Sequence, residues 1–454
     1  MEFDTIAAIS TPIGTGAVSA IRISGKNAVE IGDKIFFGKK KLCSCKTHTA
    51  HYGKIKYNGK TIDEVLCLVM KGPGTYTGED TVEIFCHGGI IVTKNVLESV
   101  LASGARQALQ GEFTKRAFLN GKMDLSQSES IIDIINAKST LEKDIALNQA
   151  GGSLQKNIFN LRQNLVEISA NMMAFIDFPD EDLINDTTDT LCEKMKECLK
   201  KTDKLLSSYQ SGKVIKDGIN TAIIGKPNVG KSSLMNIFAG CDKSIVTDIE
   251  GTTRDVVEER VDIDGIILNL WDTAGIRESS DKVESIGVLK SKDKIQKAQL
   301  VIAVFDGSKP FSKEDEEILD IIKNKKVIGV INKTDLENVI NKEYIKSFNI
   351  PVVEISTINN SGIDVLKEKI KKMFIDEELI SSGQEIITNA RHFEALTKCK
   401  NNLSQGINAF ESGLTADMIS IDLENAINAL GEIVGMTVSE EIVDTIFKKF
   451  CVGK

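Results

Sequence analysis

Gly225-Lys226-Pro227-Asn228-Val229-Gly230-Lys231-Ser232 lies between a strand-like run, Thr221 to Ile224, and a helix-like one, Ser233 to Phe238. Glycines at this spacing let backbone N–H groups wrap phosphate oxygens. Lys231 brings charge to the outer phosphates, Ser232 suits Mg²⁺, and the start of a helix favours an anion. The run Asn228, Val229, Gly230, Lys231, Ser232 and Ser233 is therefore the expected phosphate cradle. Strand, glycine loop and helix in that order open a parallel α/β domain.

Two later runs fit the same domain. Asp272-Thr273-Ala274-Gly275 closes the strand-like Ile266 to Trp271, directing Asp272 to a Mg²⁺ shell and the Gly275 N–H to a terminal phosphate. Asn332-Lys333-Thr334-Asp335 closes Val327 to Ile331. The Asp335 carboxylate can accept two hydrogen bonds from a guanine edge where adenine offers no such pair, so GTP is expected rather than ATP. Thr253, within Gly251-Thr252-Thr253-Arg254-Asp255, is the expected second Mg²⁺ ligand, and Arg254 a candidate charge stabiliser. Where many small GTPases place a water-orienting glutamine stands Ile276, which cannot hydrogen-bond water. Another group must orient it, and Arg277, Glu278, Asp281, Lys282 and Glu284 lie just downstream.

The flanks have different textures. From Thr5 to about Gly121, short strands (Ile6 to Ile9, Ala20 to Ile23, Val65 to Val69) mix with a helix, Ile90 to Leu101. Then Leu154, Ile158, Leu161, Leu165, Ile168 and Met172 recur at helical steps, followed by Leu191, Met195, Leu199 and Leu205. Helical texture is expected to stop near Ser211-Gly212-Lys213, and α/β alternation to run to about Phe374. After Ser381-Ser382-Gly383 helical spacing returns with Phe393, Leu396, Leu403, Ile407 and Phe410, then Ile419, Leu423, Ile427, Leu430 and Val434. Two helical segments around a complete α/β unit are simplest if they pack together. The expected fold is multidomain α/β and α: an N-terminal α+β domain (1–121), a discontinuous helical bundle (122–215 and 379–454) and an inserted Ras-like P-loop α/β domain (216–378).

At 454 residues, with 41% hydrophobic and 27% charged residues, the chain has the composition of a multidomain globular protein. Its longest apolar run, Leu300 to Phe305, is far short of a membrane span, and Met1-Glu2-Phe3-Asp4 does not open a signal peptide. Nine scattered cysteines fit reduced thiols, so a cytoplasmic protein is expected. The net charge of −9 argues against a globally basic nucleic-acid binder but not against a local basic patch.

The P-loop, Thr247-Asp248-Ile249-Glu250-Gly251-Thr252-Thr253-Arg254-Asp255 and Asp272 to Gly275 occur with Gly111-Glu112-Phe113-Thr114-Lys115-Arg116-Ala117-Phe118-Leu119-Asn120 and a terminal Cys451-Val452-Gly453-Lys454. Together they closely resemble the MnmE (TrmE) tRNA-modification GTPases, over essentially the whole chain. The resemblance implies a homodimer whose N-terminal domain binds a tetrahydrofolate derivative (the 5-formyl or 5,10-methylene form), and a GTPase domain activated by potassium-dependent dimerisation. It also implies a flavoprotein partner, MnmG, with which the wobble uridine of certain tRNAs gains a carboxymethylaminomethyl or aminomethyl group at C5.

By the same resemblance Asn228, Thr247, Ile249 (through its carbonyl) and Thr252 are K⁺ ligands, and Asp248, Glu250 and Gly251 belong to the nucleotide-binding segment. Glu284 is the water-orienting acid, while Arg22, Glu83, Lys122 and Lys454 serve the folate site. Cys451 takes the place of a terminal cysteine thought to serve the modification chemistry. A carboxylate can pair with a pterin's amide edge and basic groups suit a glutamate tail. The chain departs from the usual pattern at Ser356-Thr357-Ile358, where GTPases more often have Ser-Ala and a basic residue.

Two decoys are set aside. Cys43-x-Cys45-x₂-His48-x₂-His51 is too cramped for structural zinc and runs into a strand-like Thr49 to Ile55, and Gly453-Lys454 fits a prenylation signal poorly. The competing functional reading is a ribosome-assembly GTPase switch without modification chemistry.

Overall fold

The computed structural model describes residues 4–177, 188–240, 259–272, 295–381 and 383–454. The chain clusters into two compact units, one of Met1–Ile132, Gln149–Arg162 and Ile427–Lys454, the other of Asp133–Asn148 and Gln163–Ala426.

The first unit holds strands β1 (Ile6–Ile9), β2 (Val18–Ser24), β3 (Phe36–Gly38), β4 (Thr49–Tyr57), β5 (Lys60–Met70), β6 (Thr81–His87) and β7 (Arg106–Gln107), in sheet order β3-β4-β5-β6-β2-β1-β7. All pairings are antiparallel except β1 with β7. Alternation selects the faces. Ile21, Ile23, Val65, Cys67, Val69, Val82 and Ile84 form one core with α1 (Ala28–Ile35) and α2 (Ile90–Ala102), leaving Arg22 and Glu83, which are register partners, on the other side.

Beyond the sheet come α3 (Glu112–Leu119), α4 (Leu125–Asn136), α5 (Thr140–Ala150) and α6 (Ser153–Asp177). The six apolar positions expected on one face of α6 are all buried, each at most 2% exposed.

The second unit contains α7 (Thr188–Ser207), α8 (Tyr209–Asp217), β8 (Ile219–Ile224), α9 (Lys231–Gly240), β9 (Glu259–Ile263), β10 (Ile266–Asp272), β11 (Leu300–Asp306), α10 (Lys313–Ile322), β12 (Lys326–Asn332), α11 (Lys342–Lys346), β13 (Val352–Glu354), α12 (Ile363–Phe374), α13 (Glu377–Ser381) and α14 (Ala390–Glu411). Its sheet runs β13-β12-β11-β8-β10-β9, parallel throughout except at β9. The apolar run Leu300 to Phe305 is an interior strand, buried at every position. The chain closes with α15 (Ala416–Val434) and α16 (Glu440–Phe447).

Two expectations are corrected. The helix continues through Ser211-Gly212-Lys213 and ends at Gly218. Gly212 is there because a Cβ would lie 2.2 Å from the Ile387 carbonyl oxygen, so that glycine marks a close chain approach rather than a boundary. On α7 the buried stripe is Leu191, Met195, Cys198 and Thr202, with Leu199 and Leu205 only half-buried. A cysteine and a threonine at helical spacing took the places assigned to leucines. The helical segments on either side of the α/β unit do touch: α7 packs on α14, Tyr209 stacks on Phe393 with centroids 4.1 Å apart, and the Ile387 N–H donates to Ser208 Oγ at 3.0 Å.

Candidate functional site

Parallel strands deliver the nucleotide residues to one edge. Gly225 follows β8, Asp272 ends β10, Asp306 ends β11 and Asn332 ends β12; ligands bind outside the carboxyl ends of such strands. Asp272 pairs in register with Ile223, two residues before Gly225, so its backbone position suits a Mg²⁺ shell shared with Ser232 at the start of α9.

The phosphate loop is held by its own two lysines. Lys231 Nζ donates to the carbonyls of Gly225 at 2.8 Å and Lys226 at 2.7 Å, arching over the loop. Lys226 Nζ reaches Asp315 Oδ2 at 2.7 Å and Ser312 Oγ at 2.9 Å. Those two residues form the capping box that starts α10, so the loop is tied to a helix terminus. Asn228 adopts a left-handed backbone at φ 60°.

The Asn332–Asp335 segment is tied to the same loop. Asn332, 1% exposed, donates from Nδ2 to the Val229 carbonyl at 2.9 Å and to Thr357 Oγ1 at 3.3 Å, and its Oδ1 accepts from the Thr357 N–H at 3.1 Å. A Cβ on Gly230 would stand 2.0 Å from Asn332 Nδ2, so glycine there admits the amide as well as the phosphates. Asp335 Oδ1 accepts from Ser356 Oγ at 2.5 Å, fixing the carboxylate that would read guanine. Lys333 pairs with Asp306 at 2.7 Å. Burial would raise the Asp306 carboxyl, but hydrogen bonds from Lys333 and Ser308 outweigh it and hold the carboxyl below its ordinary range.

Ser356-Thr357-Ile358 lies against the Asn332–Asp335 segment. The Thr357 hydroxyl and N–H both engage Asn332, a tie the sequence reading missed although it noted the unusual threonine. Asp306, Ser312 and Asp315 were missed as well; only the Ser312-x-x-Asp315 cap was readable in advance. Thr247, Asp248, Ile249, Glu250, Gly251, Thr252, Thr253, Arg254, Thr273, Ala274, Gly275 and Glu284 lie outside the described residues, as does the Asp272 side chain.

The first unit assembles a second constellation. Arg22 Nε donates to Glu83 Oε1 at 2.7 Å, and the two side chains are 19% and 15% exposed. The guanidinium faces the rings of Tyr76 and Phe113 at 5.6 and 5.7 Å, a largely desolvated pair with aromatic walls. Tyr76 OH meets Thr114 Oγ1 at 2.9 Å. Lys122 Nζ donates to the Pro73 carbonyl at 3.0 Å, and Asn120 Nδ2 to the Thr77 carbonyl at 2.8 Å, so both hold the loop that carries Tyr76.

The terminal tail docks against the start of α3 and the end of β1. Phe447 sits between Phe118 and Phe450, with centroids 6.4 and 5.3 Å away. Val452 bridges Gln110, and the Gly111 N–H donates to the Cys451 carbonyl at 3.4 Å. Gly453, at φ 99°, lies so close to β1 that a Cβ would be 2.2 Å from the Ile9 carbonyl oxygen. Ile9 follows Ala8, the register partner of Arg22, and Phe113 lies two residues past Gly111. The Cys451 thiol is exposed. Among the described residues no hydrogen bond or ion pair joins Cys451 or Lys454 to Arg22, Glu83 or Lys122; they share neighbours.

Arg116 of the same α3 segment, 2% exposed, contacts Asp4 at 2.8 Å, Glu112 at 2.9 Å and Glu79 at 3.3 Å. Three carboxylate partners of this kind are what lets a guanidinium remain buried. The residues of the zinc-like run are engaged locally: Cys45 Sγ lies 3.2 Å from the Lys41 carbonyl, and His48 Nε2 lies 3.3 Å from that of Gly74.

The chain matches the model of the GTP-binding protein TrmE N-terminus over residues 5–122 and that of the MnmE helical domain over residues 125–451. It is 45% identical to the tRNA modification GTPase MnmE of Clostridioides difficile over 99% of both chains, and 42% identical to that of Staphylococcus epidermidis over the full length of both. The protein of the same description from Thermoanaerobacter pseudethanolicus is 45% identical over the full length of both chains.

Proposed function

The chain belongs to the MnmE family of tRNA modification GTPases and is a GTP hydrolase; from that premise we propose that it modifies the wobble uridine of certain tRNAs at C5, drawing a one-carbon unit from a tetrahydrofolate. The reading includes action as a homodimer with the flavoprotein MnmG in the cytoplasm. Among the described residues no helix is long and apolar enough to cross a membrane.

One observation carries the proposal. The Gly111 to Asn120 run, whose Phe113 faces the Arg22 guanidinium, is joined through Gly111 to the tail Cys451 to Lys454 from far along the sequence. A carboxylate with a charged partner between two aromatic rings suits a flat heterocycle bearing an amide edge, so Glu83, Arg22, Tyr76 and Phe113 are the groups that would hold a folate. The folate, when bound, supplies the one-carbon unit. Cys451 is exposed at the adjoining tail, where a thiolate could act as nucleophile, and Lys122 and Lys454 suit an anionic glutamate tail.

In the nucleotide site Lys231 and the backbone N–H groups through Ser233 hold phosphates, and Asp335 reads guanine. Ser232 and Thr253 would ligate Mg²⁺. Asn228, Thr247, Ile249 and Thr252 would hold K⁺, placing positive charge where other GTPases use an arginine. Glu284 would orient water in place of Ile276.

Nucleoside mass analysis of tRNA from cells lacking the protein tests the whole reading: loss of the C5 modification is expected, and an unchanged profile would refute it. GTP turnover in K⁺ against Na⁺, with Glu284→Ala alongside, tests the hydrolytic part. Turnover faster in K⁺ and reduced in the variant is expected; equal rates in the two salts would remove the cation from the mechanism.

A further inference from the structure

The stretch from Lys34 to Lys60 carries Lys34, Lys39, Lys40, Lys41, Lys46, Lys54, Lys56 and Lys60 and no aspartate or glutamate. The whole chain has 65 acids to 56 bases, and at that density such a stretch would carry about four acids. An ordinary solvated face mixes both signs. This one does not.

The fold turns the stretch into a surface. It forms β3, the turn after it, β4 and the entry to β5, and β3 is the edge strand of the first unit's sheet. Phe36, Gly53 and Ile55 face the interior, so alternation turns Phe37, Tyr52, Lys54 and Lys56 outward. Phe37 pairs in register with Lys54, and Lys56 Nζ lies 5.2 Å from the Phe37 ring centroid. Phe37 is 52% exposed and Tyr52 66%.

Lys39, Lys40 and Lys41 continue from the end of β3, with Lys46 four residues past the turn at Leu42; all four are exposed and none forms an ion pair among the described residues. Lys34, Phe37 and Lys56 line a hollow of about 610 Å³ at the other end of the strand. The acids bordering the surface are already engaged. Glu64 is held by Lys54 and Tyr52, and Asp33 by the N–H groups of Leu42 and Cys43.

We propose that this lysine-lined sheet edge, with Phe37 and Tyr52 among its charges, is the surface on which the chain receives RNA. The nine residues of β4 extend about 30 Å, long enough for several successive phosphates. Ammonium groups take phosphates without regard to sequence, while exposed rings offer stacking to the unpaired bases of a loop. That combination favours RNA over a lipid surface, which needs no stacking platform. The inference rests on the tRNA-directed reading above and adds to it the place of contact.

The test uses the full chain and an unmodified, end-labelled tRNA transcript followed by fluorescence anisotropy between about 50 and 200 mM KCl. Lys39→Gln, Lys40→Gln, Lys41→Gln and Lys46→Gln combined are expected to weaken binding about tenfold or more and to reduce the slope of log affinity against log salt by about 3. Basal GTP turnover should be unchanged. Phe37→Ala should weaken binding with the slope preserved, which separates stacking from charge. A matched set on other surfaces, Lys313, Lys323, Lys346 and Lys369 to Gln, should leave binding intact.

Unaltered affinity and slope in the first set would overturn the surface alone, as would an equal loss in the matched set. If the first set instead lost binding to vesicles of equal parts phosphatidylserine and phosphatidylcholine while keeping tRNA, the partner assignment would fall. Failure of the unsubstituted chain to bind tRNA at all, with GTP turnover intact, would overturn both this surface and the tRNA-directed reading.

Discussion

The nucleotide site and the Arg22–Glu83 site are built by opposite logics. The first gathers short runs that each sit at the carboxyl end of a parallel strand, so the sheet itself brings Gly225, Asp272, Asp306 and Asn332 to one edge. The second draws on the middle of an antiparallel sheet, a loop, α3 and a tail 340 residues beyond Gly111 in the sequence. Motifs suffice for the first. Only folding makes the second.

The difference can be broken first at Gly230. A Cβ there would meet Asn332 Nδ2 at 2.0 Å, on a backbone at φ 99°, so Gly230→Ala must displace both the phosphate loop and the guanine segment. Binding of a fluorescent GDP analogue should fall by about 100-fold or more, the few kcal/mol that strain of this kind costs. Affinity for a folate should be unchanged.

Phe447→Ala attacks the other site. Emptying a side chain of this size, 2% exposed against Phe118 and Phe450, costs about 3–5 kcal/mol. In urea the unfolding transition of the first unit should move to lower concentration, while GDP affinity holds. Gly453→Ala should free the tail more gently, raising the rate of Cys451 alkylation.

Thr357→Ala sharpens the comparison inside the nucleotide site. It removes one hydrogen bond to Asn332 and spares the backbone one, a loss of about 1 kcal/mol. GDP affinity should fall about fivefold, and a variant with unchanged affinity would show that the hydroxyl does not steady the guanine segment.

The smallest effect is on acid stability. Hydrogen bonding from Arg106 is the largest influence on Asp4, whose carboxyl is lowered from 3.8 to about 2 despite some burial. In Glu112 burial is outweighed by Arg106, the Leu109 N–H and Arg116, so it too lies below its ordinary range. A depressed carboxyl stabilises the folded form fully above its unfolded pKa, and that contribution is lost as pH falls through the folded value. The first unit should thus lose stability between about pH 4 and pH 2. Asp4→Asn should flatten that slope by less than about 1 kcal/mol, since the Asp4 side chain is 55% exposed and solvent screens it.

Legibility followed the same division. The strand-loop-helix run around Gly225, the Asn332 segment and the α6 stripe were readable because periodicity and local spacing encode them. Gly212 was misread, since nothing local distinguishes a glycine under a neighbouring carbonyl from one ending a helix. Arg22, Glu83 and Lys122 carry no local signal at all. Residue by residue they look like surface charges, as Lys122 indeed remains, and the desolvation of the Arg22–Glu83 pair comes with Tyr76 and Phe113, which a loop and a helix bring from far along the chain. Thr357 was noticed for departing from the common pattern, but its second bond to Asn332 exists only once β12 and β13 lie side by side.

The most direct test of two separately built sites on one chain is calorimetric titration of 5-formyltetrahydrofolate into the full chain and its Glu83→Gln variant, with GTP turnover measured on both. Folate affinity should fall at least about tenfold when the charge-assisted bonds of Glu83 are lost, with GTP turnover unchanged. Equal folate affinity in both proteins, or none in the unsubstituted chain, would contradict the account.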